Sequence, residues 1–462
     1  MKTTTTASQT HFKNYRWIIC GLLFFATTIN YIDRQILSLL KENLDQKIGW
    51  TNEQFGWVNS AFQLSYGLGL LGFGWFVDRF GTKKGYAISI IGWSIAAMMH
   101  ALIVFIPANA FFQGHFTWGT KEFVWLLNMA ALGTLAFGFC RVCLGLSEAG
   151  NFPSAVKATA LWFPKRERAF ATSIFNAGTN AGALIAPAII PWMAFTWGWQ
   201  STFIAAGILG FLWLFLWIPF YDVPTKSKHV SPEELEHIHS DGDGDGNSDK
   251  ISWLSLLRYP QTWSFIIGKF LTDPVWWFFL IWLPDFFKKT YHLDIKKSWV
   301  HLVTIYAIVT VLSIFGGWIT GRLVKSGWTV TRARKICMIV FALCVLPVFF
   351  ATSFSVWPAV LLIALAGSAH QAWSANLYTT VSDMFPKKAV ASVIGIGGMA
   401  GSAGGFLFPI YCGKVLDKFK ATGNEMAAYT HLLHILAFAY VVAFVLHHFC
   451  APRFEPVKLK EN

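Results

Sequence analysis

Gly74-Trp75-Phe76-Val77-Asp78-Arg79-Phe80-Gly81-Thr82-Lys83-Lys84 closes one long apolar run and opens the next, and a version of it returns at Gly317-Trp318-Ile319-Thr320-Gly321-Arg322. A second pair repeats in the same order. Phe163-Pro164-Lys165 precedes Gly178-x-x-x-Gly182 and Pro187, and Phe385-Pro386-Lys387 precedes Gly401-x-x-x-Gly405 and Pro409. Two echoes in one order describe a chain made of two related halves. The first echo is the more widely spaced, and the longer polar connector near 108–123 in the first half accounts for the difference.

Outward from these motifs, apolar runs fall at 16–39, 53–77, 85–107, 124–150, 169–193, 201–221, 261–287, 300–321, 336–353, 357–384, 391–414 and 429–449. Each is near the roughly 20 residues that cross about 30 Å of hydrocarbon. The 462 residues are 55% hydrophobic and only 13% charged, which excludes an ordinary soluble protein. The expected fold is an all-α membrane protein with twelve transmembrane helices in two pseudo-symmetric six-helix bundles. The bundles are 15–222 and 251–450, with tails 1–14 and 451–462 and a polar, flexible linker at 223–250. No cleavable signal is read at the start, because the first apolar run already carries Asp33 and Arg34.

A net charge of +13 on a soluble domain would raise nucleic acid as a partner. On a membrane protein it reports orientation, and no nucleic acid is expected. Arg79, Lys83 and Lys84 follow the second span, and Lys165, Arg166 and Arg168 the fourth. Arg322, Lys325, Arg332, Arg334 and Lys335 follow the eighth, and Lys387 and Lys388 the tenth. All lie on one side, which is read as the cytoplasm, with both termini there in a bacterial-type inner membrane. Lys288, Lys289, Lys296 and Lys297 after the seventh span run against the pattern.

Several motifs invite a different chemistry and lack a part of it. Asp241, Asp243, Asp245 and Gly246 start like a calcium loop, but Ser252 stands where the bidentate acid belongs. Gly395-Ile396-Gly397 resembles a dinucleotide loop, but Ala400 replaces its third glycine inside an apolar span, so helix packing is the better reading. There is no Walker A loop, no zinc spacing among the seven cysteines and no nucleophile–base constellation, so neither an enzyme nor a cofactor is expected.

Ionisable residues inside a span cost at least about 2.5 kcal/mol and normally face a cavity. The first span carries Thr27, Asn30, Tyr31 and Arg34 on one face, with Asp33 beside it. Asn59, Gln63 and Tyr66 form a stripe in the second. Arg141 and Glu148 stand two turns apart in the fourth. Thr172, Asn176, Thr179 and Asn180 share a face of the fifth, Lys269, Thr272, Asp273 and Trp276 one of the seventh, and His370, Trp373 and Ser374 one of the tenth. Asn, Ser and Thr in such places often only join helices, and Lys269 with Asp273 reads equally as a structural pair. Four charges in two helices are harder to assign to packing.

The segment Gly74 to Lys84 resembles the signature loop of the major facilitator superfamily. Tyr31-Ile32-Asp33-Arg34, with Arg141 and Glu148, resembles the anion:cation symporters within it, a family that includes bacterial hexuronate and galactonate carriers. Lys269 to Trp277 and Thr380 to Lys388 look most like the hexuronate branch. The resemblance covers about 15–450. It implies that Asp33 and Glu148 are the proton-titrating carboxylates, with Arg141 their charge partner. It places Arg34 at the substrate carboxylate and makes Tyr31 and Tyr66 pocket tyrosines. It makes Gly74, Asp78, Arg79 and Gly81 a conformational latch. Thr179 and Gly398 stand where galactonate carriers have Gln and Asn, so the hydroxyl contacts differ.

The expectation is a secondary active transporter, working as a monomer in the lipid bilayer, that moves a small organic anion with protons. A hexuronate such as glucuronate or galacturonate is the first reading. An aldonate, an aromatic acid, or a transport-dead sensor on the same fold are the alternatives. Arg34 suits the carboxylate because a guanidinium binds it by two parallel hydrogen bonds. Asn30 and Gln63 are candidates for the hydroxyls and Tyr66 and Trp276 for the apolar sugar faces, with Thr179, His370 and Trp373 as further substrate-binding candidates.

Overall fold

A computed structural model describes residues 14–107, 109–118, 121–240 and 253–457. The calcium-like run from Asp241 to Ser252 lies outside the described residues.

Twelve long helices cross the molecule among the described residues. In the first half they are Tyr15–Leu39, Asn52–Phe80, Thr82–Phe105, Met129–Glu148, Lys165–Trp197 and Trp199–Phe220. In the second half they are Pro260–Tyr291, Ile295–Lys325, Val330–Ser353, Val356–Met384, Lys387–Lys420 and Glu425–Cys450. Eleven are long and apolar enough to span a membrane. The remaining one, Asn52–Phe80, has the length at 29 residues, but Asn59, Gln63 and its glycines dilute its apolar character. Large apolar side chains such as Phe25, Phe139, Phe215 and Ile314 point outward, as a lipid-facing surface requires.

Two expectations are corrected. The fourth span begins at Met129, not 124. Residues Lys121–Asn128 pair antiparallel with Phe111–Trp118 as a hairpin, so the apolar run 124–127 is strand. The linker is also partly tied down. Pro232–Ile238 is a helix, and its Glu234 accepts the Tyr15 and Arg16 N–H groups at 2.9 and 3.0 Å. These are orphan donors at the start of the first span. Two of the four lysines that ran against the charge pattern are paired with acids: Lys288 with Glu42 at 2.6 Å and Lys289 with Glu425 at 2.8 Å.

The repeated glycines explain the internal symmetry. A Cβ on Gly178 would stand 2.5 Å from the Phe24 carbonyl, and one on Gly182 2.6 Å from that of Thr28. Only glycine lets the fifth span lie this close to the first. In the second half a Cβ on Gly401 would meet Asp273 at 2.2 Å, and one on Gly405 would meet Trp277 at 3.0 Å. The eleventh span thus packs on the seventh as the fifth packs on the first.

The bundles join at one face. One apolar core fills the half of the first bundle around Tyr15, Tyr86 and Trp217. The other runs from the opposite end of that bundle, around Ile36, Phe55 and Phe203, through the whole second bundle. At this sealed face the second and eleventh spans touch backbone to backbone. A Cβ on Gly56 would lie 2.4 Å from the Pro409 oxygen, and Ser60 Oγ donates to the Phe406 carbonyl at 2.6 Å. Toward Phe80 the two helices diverge, and Gly72 and Gly74 have nothing nearby.

Candidate functional site

Between the two apolar cores of the first bundle lies a polar layer. Arg34 Nε donates to Glu148 Oε2 at 2.6 Å, and both side chains are at most 5% exposed. A buried ion pair of this kind needs its remaining hydrogen-bonding groups satisfied to offset desolvation. Here many are not. Arg34 Nη2, Glu148 Oε1, both oxygens of Asp33, and Nε and Nη2 of Arg141 have no hydrogen-bond partner among the described residues. The Asn30 amide and Gln63 Oε1 share that condition. A cluster of unmet donors and acceptors in one buried layer is what a transported polar solute and a proton would use.

Aromatic rings hold the guanidinium in place. Its Cζ lies 4.5 Å from the Tyr66 ring, 4.9 Å from Tyr31, 5.2 Å from Phe62 and 6.0 Å from Trp277. Phe62 also faces Arg141 at 5.8 Å. Cation–π contact keeps a buried arginine charged without consuming its N–H donors. A narrow cavity of about 20 Å³ opens here, lined by Arg34, Gln63 and Arg141 of the first bundle and by Trp277, Leu280 and Ile281 of the second. A cavity of this volume is too small for a six-carbon solute.

The structure brings Arg34, Tyr31, Asn30, Gln63, Tyr66, Asp33, Arg141 and Glu148 into or beside this layer. Thr179 is half-buried on the fifth span, next to the glycines that press it on the first. Three residues of the second bundle are placed elsewhere. His370 bonds to the Tyr440 hydroxyl and stacks on Trp276 at 5.3 Å between ring centres, and Trp373 packs on Tyr440 at 5.5 Å with no exposure. They form the interior of that bundle. Its aromatic contribution to the cavity is Trp277, one residue along and so about 100° round the helix from Trp276. Phe62, Gln35 and Trp277 were not singled out from sequence: an aromatic in an apolar run carries no cost that marks it, and Gln35 falls outside the face shared by Thr27, Asn30, Tyr31 and Arg34.

Of the latch residues, Gly81 ends the second span with φ +83, and its N–H donates to Val77 O at 3.0 Å. Gly74 has open space around it. Arg79 lies over Trp75 at 5.6 Å. The Asp78 side chain is outside the described residues.

The sequence pattern of the Major Facilitator Superfamily matches residues 23–409, and the chain belongs to that family. It is a multi-pass membrane transporter and not an enzyme. It is 28% identical over 415 residues to the hexuronate transporter of Escherichia coli K12, covering 88% of each chain. It is 27% identical over 420 residues to that organism's probable galactarate/D-glucarate transporter, covering 87% of this chain and 88% of the other. The fold is similar to that of the inward-open xylose transporter of E. coli, with a TM-score of 0.69 at 14% identity over 95% of this chain and 96% of that one.

Proposed function

We propose that the protein is a proton-coupled symporter that carries a sugar acid, foremost a hexuronate such as glucuronate or galacturonate, across the inner membrane into the cytoplasm. One observation carries the reading. Arg34 is held by Glu148 through one nitrogen, while a second nitrogen and the carboxyl groups of Glu148 and Asp33 keep unmet bonding capacity in the same buried layer.

The chemistry follows from charge balance. An incoming carboxylate takes the two parallel N–H donors that a guanidinium offers. Where it takes the edge that includes Nε, it displaces Glu148. A carboxylate released from its cation in a dry site is costly unless it binds a proton. Glu148 thus exchanges Arg34 for a proton when the substrate arrives, Asp33 beside it is a second carboxylate open to a proton, and Arg141 remains near both as a fixed positive charge. Anion and proton then move together, and the two bundles rock about the layer. The seal at the Lys41–Asn52 face, with divergence toward the face of Arg79 and Arg322, fits the inward-facing half of that cycle. Relatives named as carriers of hexuronates and of galactarate or glucarate support a sugar acid as cargo.

The test is uptake of labelled glucuronate into proteoliposomes with and without an inward proton gradient, with galacturonate, gluconate and galactonate as competitors. Accumulation that needs the gradient, and that galacturonate blocks best, is the expected result. Competition by the aldonates alone would reassign the substrate, and gradient-independent uptake would remove the coupling.

A further inference from the structure

The seventh span carries a second charged pair that the Arg34 layer does not use. Lys269 Nζ lies 2.7 Å from Asp273 Oδ2, and the two side chains are 8% and 17% exposed. Residues 269, 273, 277 and 280–281 fall on one stripe of that helix. Trp277, Leu280 and Ile281 of the stripe line the cavity beside Arg34. The pair therefore continues the same wall toward the face where the bundles diverge. Asp273 stands one turn, about 6 Å, along the helix from Trp277, whose ring is 6.0 Å from the Arg34 guanidinium. Trp277 thus links the pair to the Arg34 site along one wall.

The neighbouring helices make room for the pair. A Cβ on Gly401 would collide with Asp273 Oδ2 at 2.2 Å and touch Lys269 Cε at 3.4 Å. One turn away, Gly398 has nothing within 4 Å. The Tyr378 ring covers Lys269 Nζ at 4.7 Å.

An ammonium has three donors and a carboxylate about four acceptor sites. Their mutual contact leaves both kinds free, in a pair with no net charge. Vicinal hydroxyls, which donate to Asp273 and accept from Lys269, match it. A second carboxylate does not, because the attraction of Lys269 is opposed by Asp273 at nearly the same distance. We propose that Lys269 and Asp273 form a hydroxyl-reading subsite that selects sugar acids with one carboxylate over aldarates with a carboxylate at each end. The proposal rests on the assignment of Arg34 to a sugar-acid carboxylate.

The test measures transport and equilibrium binding of glucuronate and glucarate by purified wild type, Asp273→Asn and the double variant Lys269→Gln/Asp273→Asn. Wild type is expected to prefer glucuronate. Asp273→Asn keeps the shape and leaves Lys269 unopposed, so the ratio should move toward glucarate by about tenfold. The double variant should lose that gain. Binding reads the ratio even where a variant no longer transports. A wild type that prefers glucarate, or an Asp273→Asn ratio equal to that of wild type, overturns the subsite while leaving the sugar-acid reading intact. A wild type that binds neither compound nor gluconate removes the sugar-acid reading and the subsite with it.

Discussion

Asp417, at the end of the eleventh span, caps the start of the second span from the opposite bundle, accepting the Asn52 and Glu53 N–H groups at 3.0 and 2.7 Å. The Asn52 side-chain amide donates to it as well, at 2.9 Å. The next donor, Gln54 N–H, is met locally by the Thr51 hydroxyl. Two of the four orphan donors of this helix are thus satisfied only while the bundles are joined. Beside it, Lys41 is buried against Asp285 of the second bundle at 3.2 Å, and Tyr429 donates to the same carboxylate at 2.5 Å.

These contacts make the sealed face a gate with a measurable strength. Hydrogen bonds to a charged group are worth about 1.5–3 kcal/mol each. Asp417→Ala should therefore raise the population with this face open by roughly tenfold or more. Thiol labelling of a cysteine placed at Ser60, which faces Phe406 across the seam, checks this. Labelling no faster than in the parent would contradict it.

Arg34→Lys keeps the charge but loses the planar pair of donors. Substrate affinity should fall by about 1.5–3 kcal/mol, roughly ten- to a hundredfold in Kd. Isothermal titration with glucuronate reads it. Unchanged affinity would place the carboxylate elsewhere.

The contact between the first and fifth spans leaves no room for a methyl group. Gly182→Ala should lower stability by about 1–3 kcal/mol, because the Thr28 carbonyl and Tyr31 Cβ stand 2.6 and 2.7 Å from the new atom. Gly21→Ala, on an open stretch of the first span, should not. Thermal unfolding in detergent compares the two.

At the other face, Glu167 accepts from Arg16 at 3.0 Å and bonds His237 at 2.8 Å, tying the linker helix to the first bundle. Burial pushes the Glu167 carboxyl up, but the bonds from His237 and Arg16 outweigh it and hold it below the usual carboxylate range. A depressed carboxyl contributes its stability above its ordinary range and loses it as the pH falls through the lowered value. Amide exchange across 232–240 should accelerate in Glu167→Gln at neutral pH and in the parent only under strong acid.

The charged groups of the site were legible because a charge in an apolar run has few inexpensive explanations. Asp33, Arg34, Arg141 and Glu148 stood out for that reason, and the structure gathers them into one layer. Their pairing was not legible. Arg34 takes Glu148 from another helix, and Asp33 takes no partner among the described residues. Trp276 and Trp277 are adjacent, so periodicity alone did not say which faces the cavity. The strand Lys121–Asn128 was hidden because Phe123-Val124-Trp125-Leu126-Leu127 runs apolar into the helix behind it. Lys41, Asp285 and Asp417 lie at span ends, where charge is ordinary, so the gate they form across the bundles left no trace in the pattern.

Coupling is the centre of the account, and one measurement addresses it most directly. Proteoliposomes with a pH dye inside are given an inward glucuronate gradient and no imposed proton gradient, and solute entry and luminal pH are followed together. The wild type should acidify the lumen as the sugar acid enters, whereas Asp33→Asn should exchange solute with little acidification. Glucuronate entry into wild-type vesicles at constant luminal pH would contradict the exchange of Arg34 for a proton at Glu148 and the protonation of Asp33 beside it.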